Sequence, residues 1–256
     1  MNDSPPIPLC TSTRGVAPLL CTAVLLVLVG CSAGDDAGPG VPPDSVRGEG
    51  VIAGRVTLQG THPPRLPVKN EPCHDASKPI LDETVVVGPD GGLANVFVYL
   101  EGGPRVDGRS LPPVTLDQVN CQYVPHVVGV VVGQPLVVKS SDPTFHNTHY
   151  TPRRNPAANF GLRDAGHLKT VRFTASEIFH VRCDVHPWMS AYIGVFDSPF
   201  FAATGDDGRF RIAGVPPGDY TLVAWHELYG QQRQAIQVTR GSGATPLELN
   251  LAFHVP

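Results

Sequence analysis

An all-β fold is expected for this chain, on three observations. Short β-branched or aromatic runs recur along it with turn residues on both sides. Glycine and proline, 27 of each in 256 residues, supply the punctuation that many short strands need. No segment keeps a helical period over the roughly dozen residues that a helix would require. At this length the chain exceeds one typical domain, so a sizeable core is available. The net charge of -4 is mild and the basic residues are scattered, which points away from nucleic acid.

Residues 16–30 form an apolar run too short for a membrane span, which needs about 20 residues. The run reads as the apolar part of an export signal over 1–30, although Arg14 is its only preceding basic residue and Asp3 opposes it. It ends Leu28-Val29-Gly30-Cys31, which resembles the bacterial lipobox; the resemblance implies lipidation of Cys31 as the mature N-terminus. An ordinary cleaved signal and an uncleaved anchor are the other readings. Ser32, standing where an Asp would signal retention, is similar to outer-membrane sorting, so the expected location is the cell envelope, lipid-anchored at the outer membrane and facing the periplasm. Residues 31–50 are small, acidic and rich in Gly and Pro, which predicts a flexible tether.

Strands are predicted from Val51 to Leu58, Thr84 to Val87, Val96 to Leu100 and Val127 to Val132. Further runs follow at Leu136 to Lys139, Lys169 to Thr174, Ile178 to Arg182 and Tyr192 to Phe196. The last sixty or so residues differ in character. Residues 204–212 and 220–222 form two strand runs around Pro216-Pro217-Gly218, where Pro217 presets one dihedral and Gly218 is expected to take the positive φ of a type II turn. Ile236 and Val238, then Leu247, Leu249 and Leu251, alternate as closing strands. This stretch resembles the carboxypeptidase regulatory-like domain, a small transthyretin-like β-sandwich. The strands Gly54-Arg55-Val56-Thr57-Leu58 and Asn95-Val96-Phe97-Val98-Tyr99-Leu100 are similar to the opening strands of the same family.

The residues with the richest chemistry are Cys183-Asp184-Val185-His186-Pro187-Trp188-Met189, which place a thiol, an imidazole and a thioether at offsets of three and three. A blue-copper centre needs a Cys sulfur, two His nitrogens and a weak axial Met. The missing imidazole is sought upstream, in Ser141-Asp142-Pro143-Thr144-Phe145-His146-Asn147. The spacing C-x-x-H-x-x-M and the His-Asn pair resemble the cupredoxins, amicyanin and plastocyanin in particular, and the lipoproteins described as methylamine-utilisation proteins. That resemblance implies one type 1 copper held by Cys183, His146 and His186 with Met189 axial, and an outer hydrogen-bonding role for Asn147 beside the Cys. Asp184 departs from the pattern, since those families carry a small hydroxyl residue after the Cys. His149 competes with His146; the Asn that follows His146 favours the latter.

The two resemblances together predict a cupredoxin-type Greek-key sandwich over 104–198, inserted into a regulatory-like sandwich built from 51–103 and 199–256. Two sandwiches in series is the alternative. With the signal removed and Cys31 lipidated, Cys73, Cys121 and Cys183 remain. In an oxidising compartment two should pair, and a Cys73–Cys121 disulfide leaves Cys183 free for copper. A second metal site from Cys73, His74, Cys121 and His126 is the competing reading, at spacings that match no familiar site. Trp225-His226-Glu227 is expected to end a strand with Trp225 in the core, and His180 to lie on a strand face. Trp188 is expected to shield the copper or simply to pack its loop.

The ligand set favours a metal cycling between Cu(I) and Cu(II). The functional expectation is a membrane-tethered carrier of single electrons between redox protein partners in the envelope, attached to the membrane surface by its lipid. No carboxylate pair or oriented base accompanies the loop, so the chain is not expected to be an enzyme. A surface module that binds a partner or polysaccharide, with structural copper, is the alternative.

Overall fold

The computed structural model describes residues 44–68, 79–241, 243 and 245–255. The expected signal, Cys31 and most of the tether lie outside the described residues, as do Cys73 and His74. Among the described residues there are sixteen strands and two short 3-10 turns, Asp44–Val46 and Gly108–Ser110, and no α-helix. The chain is all-β, built as β-sandwiches.

In chain order the strands are β1 (Gly50–Gln59), β2 (Phe97–Glu101), β3 (Val114–Val119), β4 (Gln122–Val124), β5 (Val127–Val131) and β6 (Leu136–Ser140). They continue with β7 (His146–Tyr150), β8 (Ala158–Leu162), β9 (Leu168–Val171), β10 (Glu177–Arg182) and β11 (Ser190–Phe196). The last are β12 (Phe201–Ala203), β13 (Arg209–Val215), β14 (Gly218–His226), β15 (Gly230–Val238) and β16 (Leu247–His254). They form four sheets, β13-β1-β16, β12-β2-β14-β15, β5-β11-β10-β7-β8 and β4-β3-β6-β9. Residues 50–101 and 201–254 thus pair among themselves in the first two sheets, and residues 114–196 in the other two.

Side-chain alternation explains how four sheets share three cores. In β2, Val98 and Leu100 face a core with Ile52, Val56 and Phe253, while Phe97 and Tyr99 face the other way, toward Val127, Val131 and Phe196. In β11, Ile193 and Val195 join Leu116, Leu136 and Val181 in the third core, and Tyr192 and Phe196 return to the middle one. Two sheets are therefore apolar on both faces, and the middle core joins the two sandwiches. Close approach there depends on Gly129 in β5: a Cβ at that position would stand 2.2 Å from the Phe201 ring.

Several expectations are corrected by the fold. Thr84 to Val87 is no strand; Val87 makes an isolated bridge to Leu93, because Gly88 and Gly92 close the intervening segment as a turn. The run from Lys169 pairs only as far as Val171, since the Thr174 and Ala175 amides donate to the Asn155 side chain instead of to a ladder. Gly218 opens β14 without a positive φ; that conformation falls at Gly214, φ +74°. The described residues reach back into the expected tether, where the Gly48 amide donates to the Gly214 carbonyl at 2.7 Å. Strands β3, β4, β7, β8 and β12 escape the sequence pattern because their alternate positions are polar or their runs very short.

Candidate metal centre

The loop between β10 and β11 carries Cys183, His186 and Met189. It is closed by two backbone hydrogen bonds, from the Cys183 amide to the Met189 carbonyl at 3.1 Å and from the Met189 amide to the His186 carbonyl at 2.9 Å. Strand β7 pairs with β10 at Val181↔Tyr150 and Arg182↔His149, so its first residue, His146, lies alongside the loop. His146 Nδ1 is 2.9 Å from His186 Nδ1, and Cys183 Sγ is 3.8 Å from the same His186 nitrogen. His146 is 0% exposed, Cys183 and Met189 each 1%. His186 is half-buried, with Phe145 45% and Val185 49% exposed in the same loops.

His146 is oriented by groups the sequence reading did not single out. Its Nε2 lies 2.8 Å from Asp142 Oδ2, a contact that favours a proton on Nε2 and so directs Nδ1 to a metal when one is bound. Asp142 is held in turn by the amides of Asn120 and Cys121, at 2.6 and 2.8 Å. Both residues sit in the left-handed region, φ 53° and 54°, a costly conformation that aims two consecutive N–H groups at one carboxylate. Burial would raise the Asp142 pKa, yet the hydrogen bonds from His146 and these amides hold it below the usual value. For His146, burial pulls downward; the Asp142 carboxylate and the Cys183 sulfur outweigh it and push the imidazole up to about 9.

Cys183 is the free cysteine among the described residues. Burial would raise its thiol, but the neighbouring His146 and the backbone amides of Asn147, His186 and Val185 bring the net pKa below its ordinary value. The ligand atoms of Cys121, His146 and His186 also lie within 4.8 Å of one another, a cluster compatible with a metal ion. Cys121, however, is disulfide-bonded, so its sulfur is no thiolate. Cys183 is the sulfur that fits, and thiolate with two imidazoles is a donor set suited to copper or zinc.

Asn147 sits against the loop: its Oδ1 accepts the Asp184 amide at 2.7 Å and is 3.3 Å from Cys183 Sγ. Its Nδ2 donates to Asp184 Oδ2 at 2.9 Å and to Asn159 Oδ1 at 2.7 Å. Asp184, the unexpected residue, also receives His149, Asn159 and Arg182. Its pKa is depressed, the hydrogen bond from His149 being the main cause. His149, three positions after His146 on an alternating strand, turns to the opposite side and is engaged by Asp184 at 2.9 Å rather than by the cluster. Beneath the site, Tyr123 donates its hydroxyl to the Asn147 carbonyl at 2.7 Å, and the Gln118 amide reaches Thr148 Oγ1 at 3.1 Å. Trp188 donates its indole N–H to the Cys121 carbonyl at 3.1 Å and lies 5.3 Å, ring to ring, from His186.

The other histidines have separate settings. His126 is buried between Glu227, 2.5 Å from its Nε2, and Glu83, 3.8 Å from its Nδ1, and does not join Cys121. His180 is exposed and 3.0 Å from Ser190 Oγ. Trp225 does not enter the core of its own sandwich; it stands half-buried on the middle layer, while His226 is the fully buried neighbour. Asp142 was signalled only by its place four residues before His146, an offset that means little outside a known loop shape.

The carboxypeptidase regulatory-like domain model matches residues 189–252. That span starts inside the loop and covers β11 to most of β16. Among solved structures, a copper-containing nitrite reductase from Thermus scotoductus SA-01 is similar over 34% of this chain and 23% of its own, at 22% identity and TM-score 0.30. A methionine-to-alanine mutant of amicyanin in its Cu(I) form is similar over 38% of this chain and 97% of its own, at 15% identity and TM-score 0.30. A reduced tryptophan-to-tyrosine mutant of amicyanin has the same coverage and TM-score at 16% identity. Among curated proteins, none matches this sequence.

Proposed function

We propose that this chain is a membrane-tethered blue-copper protein that carries single electrons between redox protein partners in the cell envelope. Its metal is one copper ion held by His146, Cys183, His186 and Met189. The observation that carries the reading is the meeting of two imidazole Nδ1 atoms, 2.9 Å apart and partly buried, with the free thiol of Cys183 beside them. Copper in such a soft donor set supplies a one-electron couple with little change of geometry. The chain's own residues do the rest. Asp142 fixes the tautomer of His146, the backbone amides around Cys183 favour its thiolate, and Met189 and Cys183 are shut away from water.

The half-buried His186 edge, flanked by Phe145 and Val185, is the point of approach for a partner. Burial of the other three side chains supports a carrier rather than an enzyme, because a substrate has no path to them. Membrane attachment rests on the lipobox-like Leu28-Val29-Gly30-Cys31, and the envelope location follows from it. The test is the visible spectrum of the full-length protein in detergent on addition of Cu(II), beside Cys183→Ser. An intense blue band that requires Cys183 and bleaches reversibly with a mild reductant is expected; a pale spectrum in both would overturn the reading.

A further inference from the structure

Between the two sandwiches, at the ends of β10 and β11 opposite to the metal loop, lies a cavity of about 600 Å³. Glu177 opens β10 and Phe196 ends β11 at this cavity, while Arg182 and Ser190 at their other ends flank the loop. Six residues of extended strand separate the two places by about 20 Å. The volume falls within the roughly 300–1,000 Å³ usual for small-molecule sites.

Its wall is aromatic. The register Phe97↔Trp225 and Tyr99↔Val223 puts Tyr99 and Trp225 on one face of the β2–β14 pair. Phe196 stands 4.9 Å from Tyr99, and Trp225 is propped by Tyr192 at 5.2 Å and Phe97 at 5.9 Å, ring to ring. The charges around it are already answered. Glu101 is paired with Arg233, Asp197 accepts the Ser176 hydroxyl at 2.9 Å and faces Arg105 at 3.4 Å, and Glu177 takes the amides of Arg153 and Arg154. What is left over is neutral. The Tyr99 hydroxyl and the Trp225 indole N–H make no hydrogen bond among the described residues, and Gln231 adds an amide at the rim.

We infer that this cavity is a binding site for a neutral saccharide. A sugar ring offers an apolar C–H face to stack on Tyr99 and Trp225 and a rim of hydroxyls for the spare donors and acceptors. With Glu101, Asp197 and Glu177 each already held by arginines, a hydroxyl or backbone amides, the lining offers no unpaired carboxylate to a cation, and its one lining arginine, Arg105, already faces Asp197 rather than an anion. Placed about 20 Å from the metal loop, a bound sugar leaves the His186 edge uncovered. The inference is independent of the copper reading.

The test is calorimetric titration of the full-length protein in detergent with maltotriose, cellotriose and chitotriose, and with spermidine as a cationic probe. Saturable binding of at least one saccharide is expected. Trp225→Ala should weaken it about tenfold or more, and the milder Tyr99→Phe, which removes only a hydroxyl, a few-fold. Trp188→Phe, at the far end, should leave it unchanged. Both cavity variants must keep the thermal melting of the parent, and Tyr99→Phe serves if Trp225→Ala does not. No binding of any saccharide, binding indifferent to both substitutions, or binding of spermidine in their place would overturn the assignment.

Discussion

Two buried histidines of this molecule are gripped in the same way and end in different roles. His146 and His126 each present Nε2 to a carboxylate, Asp142 at 2.8 Å and Glu227 at 2.5 Å, and each is pushed above its ordinary pKa despite burial. The second nitrogen decides. In His146 it faces another imidazole, with a thiol alongside; in His126 it has Glu83 3.8 Å away and no sulfur or second imidazole beside it. The first arrangement gathers lone pairs and has use for a cation with several coordination sites. The second sets one imidazole between two carboxylates and ties the β5 end of one sandwich to residues 83 and 227 beside the other. A carboxylate–histidine contact is therefore no mark of a metal site until the far nitrogen is examined.

Removing each imidazole in turn should separate the two sites most widely. His146→Gln is expected to lower Cu(II) affinity by orders of magnitude, while His126→Gln leaves it at the parent value; competition with a chelator of known affinity measures both. Equal losses would mean that the two sites are not distinct. Copper itself should widen the contrast. Metal at about 1,000 times its dissociation constant adds about 4 kcal/mol to the folded state, seen as a rise in melting temperature. The rise should vanish in Cys183→Ser and persist in His126→Gln. A rise that survives the loss of Cys183 would move the metal to another set of ligands.

Next come the carboxylates. Asp142→Asn should weaken metal binding about 10- to 100-fold by releasing the orientation of His146. Glu227→Gln should leave metal binding alone and cost about 3 kcal/mol in urea unfolding, because it removes the nearer of the two carboxylates from a buried imidazole.

The pH dependence separates the sites further. A His126 pKa raised above 6.5 in the folded chain contributes stability that is complete below about pH 6.5. That contribution fades as pH rises through the folded value. Glu83, raised by burial above 4.5, acts in the same direction at lower pH. The stability difference between parent and Glu227→Gln should therefore shrink as pH is raised from about 6 to about 9; a difference that grows would refute the clamp. The smallest effect is expected from Asp184→Ser. This substitution frees His149 and Asn159 but leaves Asn147 its contact with the backbone amide at position 184, so copper affinity should change less than in Asp142→Asn.

Features confined to one short stretch were legible from the residues alone. Cys183, His186 and Met189 share a single loop, so their proximity could be read from spacing alone, and the β-branched runs announced strands such as β1, β5 and β11 because alternation is a local property. Features that depend on two stretches meeting emerged only in the folded molecule. His126 and Glu227 are 101 positions apart, and nothing at either position foretells the other. Asp142 found His146 only because Asn120 and Cys121, in left-handed conformations, turn their amides toward it. Trp225, which a strand pattern places in the core, instead faces the second sandwich, since its sheet is apolar on both faces and period-two alternation cannot say which face meets which neighbour.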